Sequence, residues 1–150
     1  MAKHPTKLSA LWSDRRLADK RHWLDLHGLN NGNNGSPSPS EQNVRILERH
    51  LSRRQIITPV LIDQDSNVIA GRGLAEAAIR LGVARIPAYR LEDLTVEDLA
   101  IYATSLLRFA VLLNLDREVF LAEANYVRDL ADDIEAIKNT QTANAGHIPA

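Results

Sequence analysis

Val68-Ile69-Ala70-Gly71-Arg72-Gly73-Leu74-Ala75-Glu76-Ala77-Ala78-Ile79-Arg80-Leu81-Gly82 runs from a short apolar strand through a glycine turn into a helix. The run Val68–Ala70 suits a buried strand. The glycines of Gly71-Arg72-Gly73 admit backbone conformations that other residues resist, so the chain turns there. Apolar residues then recur at helical spacing, which predicts a helix over 74–82 ended by Gly82.

Working outward, Ile56-Ile57-Thr58-Pro59-Val60-Leu61-Ile62-Asp63 reads as a strand, with Pro59 marking an edge or a strand start. Asp63-Gln64-Asp65-Ser66-Asn67 has the residues of a tight turn, so 57–70 is expected to pair as a hairpin. On the other side, Arg85–Leu91 reads as a third strand. The expected core includes Leu61, Ile69, Ala77, Leu81 and Ile86, since these positions fall on one face of their strands and helix. The fold class is α/β of the α+β kind: a small mixed sheet with packed helices, flanked by an N-terminal helix and a C-terminal helix.

The flanks follow from the same periodicities. Residues 9–26 read as an amphipathic helix capped by Ser9, carrying Leu11, Trp12, Leu17, Trp23, Leu24 and Leu26 and ending before Gly28. The unit 1–27 is therefore taken as an N-terminal helix, interleaved with Arg15, Arg16, Lys20 and Arg21. Residues 28–40 are rich in Gly, Asn and Ser-Pro and read as a flexible linker. Ser40 caps a helix to Arg53, with Val44, Leu47 and Leu51 inward. Thr95 opens a capping box with Asp98 at the start of a long apolar helix to Leu113. Asp116 caps the last helix, and residues 139–150 read as a disordered tail. The division is thus a central domain over 41–118 and a C-terminal helix over 119–138.

The 150 residues contain no cysteine, which excludes disulfides, thiolate metal sites and thiol nucleophiles. No apolar run reaches the roughly 18–20 residues needed to span a bilayer, and Met1–Lys7 has no apolar leader core, so a cytoplasmic protein with no membrane partner is expected. The net charge of −1 hides an asymmetry. Residues 1–90 hold fourteen Lys/Arg against eight Asp/Glu, and residues 91–150 hold four against eleven. Such a chain either offers a basic surface to polyanions or neutralises itself in the fold or across a homodimer. Arg45, Arg49, Arg53 and Arg54 lie near helical spacing, as a stripe for DNA phosphates or as a solvated face. The five histidines have no ligand-spaced partners, so no metal site is expected. Asp63 and Asp65 read as turn formers, and Glu76 as a first-turn acid complementing the helix dipole.

Taken in order, Thr58-Pro59-Val60-Leu61-Ile62-Asp63, Val68-Ile69-Ala70-Gly71-Arg72-Gly73, Glu76-Ala77-Ala78, Leu81-Gly82, Ile86-Pro87, Leu94-Thr95, Tyr102 and Arg108 resemble the ParB N-terminal domain of the ParB/sulfiredoxin superfamily. The phage- and methylase-associated subgroup, once described as ParB-like nucleases, is the most similar. The resemblance covers about residues 40–118. It implies a phosphate site at the glycine turn, where helix N–H groups meet an anion. The implied nucleotide- or phosphate-binding residues are Gly71, Arg72, Gly73, Glu76 and Arg108, and the implied cofactor is a nucleotide such as CTP or ATP with Mg²⁺.

Departures accompany the likeness. Arg72 stands where the family has His or Glu, Leu74 where it has Arg, and Leu106-Leu107-Arg108 where it has an acid–Asn–basic motif. Sulfiredoxin chemistry needs a cysteine and is excluded. These departures turn the expectation away from an enzyme, and no catalytic residue is assigned. The expected function is a DNA-associated or nucleotide-binding accessory protein in plasmid or chromosome partition or regulation, with non-specific phosphate contacts to DNA. A divergent nucleotide hydrolase, small-molecule kinase or nuclease using Gly71–Gly73 is one alternative. A non-catalytic module that binds a partner protein is the other. If the turn is an anion pocket, Arg72 and Arg108 converge on it.

Overall fold

The computed structural model describes residues 15–32, 35–53 and 58–146. Four strands, β1 (Arg21–Asp25), β2 (Val60–Ile62), β3 (Val68–Ala70) and β4 (Arg85–Arg90), form one mixed sheet in the order β1-β4-β2-β3. Among the described residues four α-helices accompany it: α1 (Glu41–Ser52), α2 (Arg72–Leu81), α3 (Val96–Leu112) and α4 (Arg117–Gly146). α1 packs on α2 and α3 on α4, while α2 touches β2 and β3 and α4 reaches β3. This is the α+β arrangement that the sequence predicts.

The hairpin forms as expected, with β2 and β3 antiparallel and Leu61 opposite Ala70. Asp63 builds the turn: its Oδ1 accepts from the N–H groups of Asp65 and Asn67, and its Oδ2 from Asn67 Nδ2, each at 2.9 Å. Partial burial pushes its pKa up, but these bonds prevail and hold the carboxyl below its ordinary value. Pro59 stands just before an interior strand, which it can do without removing a ladder donor. β4 then runs parallel to β2, with Val60 opposite Ala88. Leu61, Ile69, Ala77 and Ile86 are buried. Leu81 is not: it is 41% exposed, because the last turn of α2 runs past its packing partners.

The caps were legible. Ser40 accepts from Asn43 N, and Thr95 and Asp98 complete the reciprocal capping box. Asp98 also pairs with Lys20, tying the N-terminal segment to α3.

Three further expectations are corrected. Residues 9–26 are not one helix. Arg15–Lys20 forms a 3-10 turn and Arg21–Asp25 an edge strand, antiparallel to β4 with Trp23 opposite Pro87. The free edge of β4 carries backbone groups that need partners, and satisfying them outweighs a helical period carried by a few residues. Ser9, Leu11 and Trp12 lie outside the described residues, as do Arg54, Ile56 and Ile57. The helix expected to start at 74 begins at Arg72, with Gly71 as its N-cap. The supposed tail continues α4 to Gly146, with Thr140 Oγ1 donating to the Ala136 carbonyl one turn back; residues 147–150 lie outside the described residues.

Candidate functional site

The centre of interest is the junction where β3 ends and α2 begins. Gly71 has φ +80°, a left-handed conformation, and a Cβ there would lie 2.9 Å from Val60 Cγ1 and 3.1 Å from Val60 Cα. Both the backbone and the space demand glycine. At Gly73 a Cβ would meet Leu47 Cδ1 at 3.3 Å, so the second glycine lets α1 approach closely.

An acidic side chain does sit at the start of α2, and it belongs to the chain. Glu123, from the apolar face of α4, is 2% exposed, and its Oε2 accepts from Gly71 N at 2.9 Å and Arg72 N at 3.1 Å. First-turn N–H groups have no partner within their helix and carry the positive end of its dipole, so a carboxylate satisfies both needs. No cation of the described residues lies within ion-pair distance of Glu123. Burial raises its pKa to about 7, although the two N–H bonds and the charge of Arg72 act in the opposite direction. Tyr102 lies nearby, donating to the Pro59 carbonyl at 2.8 Å and meeting Tyr89 edge to face at 5.6 Å. Its pKa is pushed well above the ordinary tyrosine value by burial, and further by the charge of Glu123 and by Tyr89.

Arg72 forms no ion pair among the described residues. It is 5% exposed, and its guanidinium is gripped by the segment read as a flexible linker. Nη1 donates to the carbonyls of Ser36 and Pro37, each at 3.0 Å, and Nη2 to those of Asn31 and Gly32 at 3.2 and 3.1 Å. The segment is anchored in turn, since Asn30 bridges to the edge of β3 through Asn30 N to Ser66 O and Val68 N to Asn30 O, both 2.9 Å. The low apolar content of residues 28–40 gives no hint of these contacts, since composition does not reveal that the backbone carbonyls of Asn31, Gly32, Ser36 and Pro37 meet one arginine.

Arg108 lies elsewhere. It is exposed and lines a shallow depression on α3 with Arg16, Ala100, Ile101, Thr104 and Ser105. The structure therefore brings Gly71, Arg72 and Gly73 together and leaves Arg108 apart. Glu76 stays near the turn but pairs with Arg80 at 3.2 Å and accepts from Asn31 Nδ2 at 3.5 Å. Arg80 also forks onto Glu41 at 2.7 and 2.8 Å, joining α2 to α1, and this bond lowers the Glu41 pKa to about 2.

Of the predicted DNA-contacting arginines, Arg45 pairs with Glu41 at 3.3 Å. Arg49 and Arg53, one turn apart and exposed, line a depression with Ile46 and His50, and no acid of the described residues pairs with them. Arg54 lies outside the described residues. Among the described residues no group of three or more His, Asp or Glu could hold a metal ion, and no helix is long and apolar enough to cross a membrane.

A nucleotide was the implied cofactor, and the turn as folded does not fit one. The N–H groups of Gly71 and Arg72 are taken by Glu123, and the basic side chain meant to neutralise a phosphate is spent on four carbonyls. Sequence reading missed Glu123, although a signal existed: it sits on the stripe of Phe120, Ala124 and Val127, where an acid has no reason to be unless something inside receives it.

No family model and no curated protein matches the sequence. Among solved structures the chain is similar to a Pnob8-like ParB-N domain in its C2221 form, with TM-score 0.48 and 18% identity over 83% of this chain and 50% of that one. It is similar to a pNOB8-like ParB N-domain, with TM-score 0.46 and 20% identity over 81% of this chain and 46% of that one. It is also similar to the C-terminally truncated chromosome-partitioning protein ParB from Caulobacter crescentus complexed with CTP-gamma-S, with TM-score 0.40 and 18% identity over 85% and 88% of the two chains. The chain spans about half the length of the first two.

Proposed function

We propose that the chain is a ParB-like accessory module of the partition type that associates with the phosphate backbone of DNA, its glycine turn closed by its own Glu123 rather than by a nucleotide. The observation that carries this reading is the pair Arg49 and Arg53, exposed one turn apart on α1 without an acidic partner among the described residues. Guanidinium groups so placed suit phosphate oxygens, which they meet in a forked geometry. Such contacts position a protein on a duplex without reading bases.

The test is binding to two duplexes of unrelated sequence across a range of salt. The expected result is equal affinity for both, falling linearly on a log–log scale with salt as counterions are released. Absence of binding at low salt, or strong preference for one sequence, contradicts it. A parallel calorimetric titration with CTP and ATP in the presence of Mg²⁺ is expected to be flat; a binding heat would mean that Glu123 gives way to phosphate.

A further inference from the structure

Glu123 is a buried carboxyl with no counter-ion in contact among the described residues, and it joins two separate parts of the fold. Its helix is held at its start by Asn43, whose amide accepts from Asp116 N at 2.8 Å and donates to Asp116 O at 3.2 Å. The first half of α4 buries Phe120, Ala124, Val127 and Ala131, whereas every residue from Asp132 to Gln141 is exposed or half-buried. Between α3 and α4 the chain turns at Asn114 in the left-handed region, φ +53°.

The charged and titratable groups facing Glu123 offer it little. From α2 comes Arg72, whose guanidinium is committed to loop carbonyls. From α3 comes Tyr102, neutral and donating to Pro59, with Tyr89 of β4 behind it. A carboxylate with only two N–H donors in such surroundings is costly, and its neutral form much less so.

We propose that Glu123 is a proton-controlled latch: α4 is held on the β3–α2 junction when the carboxyl is protonated and is loosened when the proton leaves. The side chain that opening returns to water recovers an ordinary carboxyl pKa, so each opening between that value and neutrality releases a proton, and above neutrality the closed carboxyl has already lost it. With the closed state titrating at about 7 against the ordinary 4.5, opening becomes about tenfold more frequent between roughly pH 6 and 8.

The experiment is amide hydrogen exchange on the full chain, corrected for the intrinsic pH dependence of exchange, together with carbon-13 titration of the Glu123 carboxyl. In the parent, protection of the Gly71, Arg72 and α4 amides is expected to fall about tenfold over that range. In Glu123→Gln, which keeps an acceptor and cannot ionise, protection should stay flat. Constant protection in the parent, or the same fall in Glu123→Gln, overturns the latch. Should that variant fail to fold, the parent still decides: a carboxyl titrating at the ordinary value with flat protection overturns it as well.

Discussion

Glu123 and Gly71, fifty-two residues apart in sequence, are joined by a 2.9 Å hydrogen bond from the backbone N–H of the glycine to a buried carboxylate oxygen. That bond places an internal acidic group where the sequence motif suggests an external anion. It makes the last helix part of the glycine turn, and it changes what substitutions around the turn are expected to do.

Replacing Glu123 by Ala leaves the Gly71 and Arg72 N–H groups buried without an acceptor. Each such group costs about 1–3 kcal/mol, so chemical denaturation should show a loss of about 2–6 kcal/mol. A variant as stable as the parent would mean that the N–H groups have another partner.

The pH dependence carries a definite sign. A folded-state pKa of about 7 against an ordinary 4.5 means that the folded protein holds the Glu123 proton more tightly than the unfolded chain does. The stability linked to this group is fully present below the lower value and is lost as pH rises through the upper one, by on the order of 3 kcal/mol. Asp63 and Asp98, whose pKa values are lowered, act in the opposite sense and lose stability as pH falls. The difference between the parent and Glu123→Gln isolates Glu123, and the Gln variant should gain on the parent from about pH 5 to 8. A difference independent of pH contradicts this.

Arg72→Ala should unfold more readily than the parent by about 2–4 kcal/mol, since four carbonyls lose a charged donor. Arg72→Lys should recover only part of that, because an ammonium cannot fork onto two pairs of carbonyls. Were Arg72 a phosphate ligand at the surface, neither change would alter the denaturation midpoint.

Gly71→Ala and Gly82→Ala separate two costs. Both glycines have positive φ, but a Cβ at Gly82 meets nothing within 4 Å whereas one at Gly71 overlaps Val60. Gly82→Ala should cost roughly 1–2 kcal/mol for the backbone alone. Gly71→Ala should cost clearly more in the same denaturation experiment, and equal losses would contradict the described turn.

Substituting Arg49 and Arg53 together by Ala should lower the slope of log affinity for duplex DNA against log salt by about 1.8, or about 0.9 for each phosphate no longer neutralised. Arg45→Ala, at a side chain already paired with Glu41, should change it little. An unchanged slope in the double variant would remove α1 from the interface.

The parts legible in the sequence were those governed by local rules. The Asp63 turn, the Ser40 and Thr95 caps and the strand–glycine–helix passage at 68–82 all depend on residues within a few positions of each other. The parts that were not legible depend on distant partners. Strand Arg21–Asp25 exists because β4 has an edge to cover, and the carbonyls of Asn31, Gly32, Ser36 and Pro37 are held by a guanidinium some forty residues later. Arg72 and Arg108 share a motif resemblance but not a location, since one is buried in a ring of carbonyls and the other lies exposed on α3. Glu123 was the most informative omission, because a lone acid on an apolar helical stripe is a sequence signal for a buried partner.

The most direct measurement is an NMR titration that follows the Glu123 carboxyl carbon together with the Gly71 and Arg72 amide protons. If the glycine turn is closed by Glu123, all three signals should move together with one midpoint near pH 7. A carboxyl titrating at about 4.5, with both amide protons unmoved, would contradict the account.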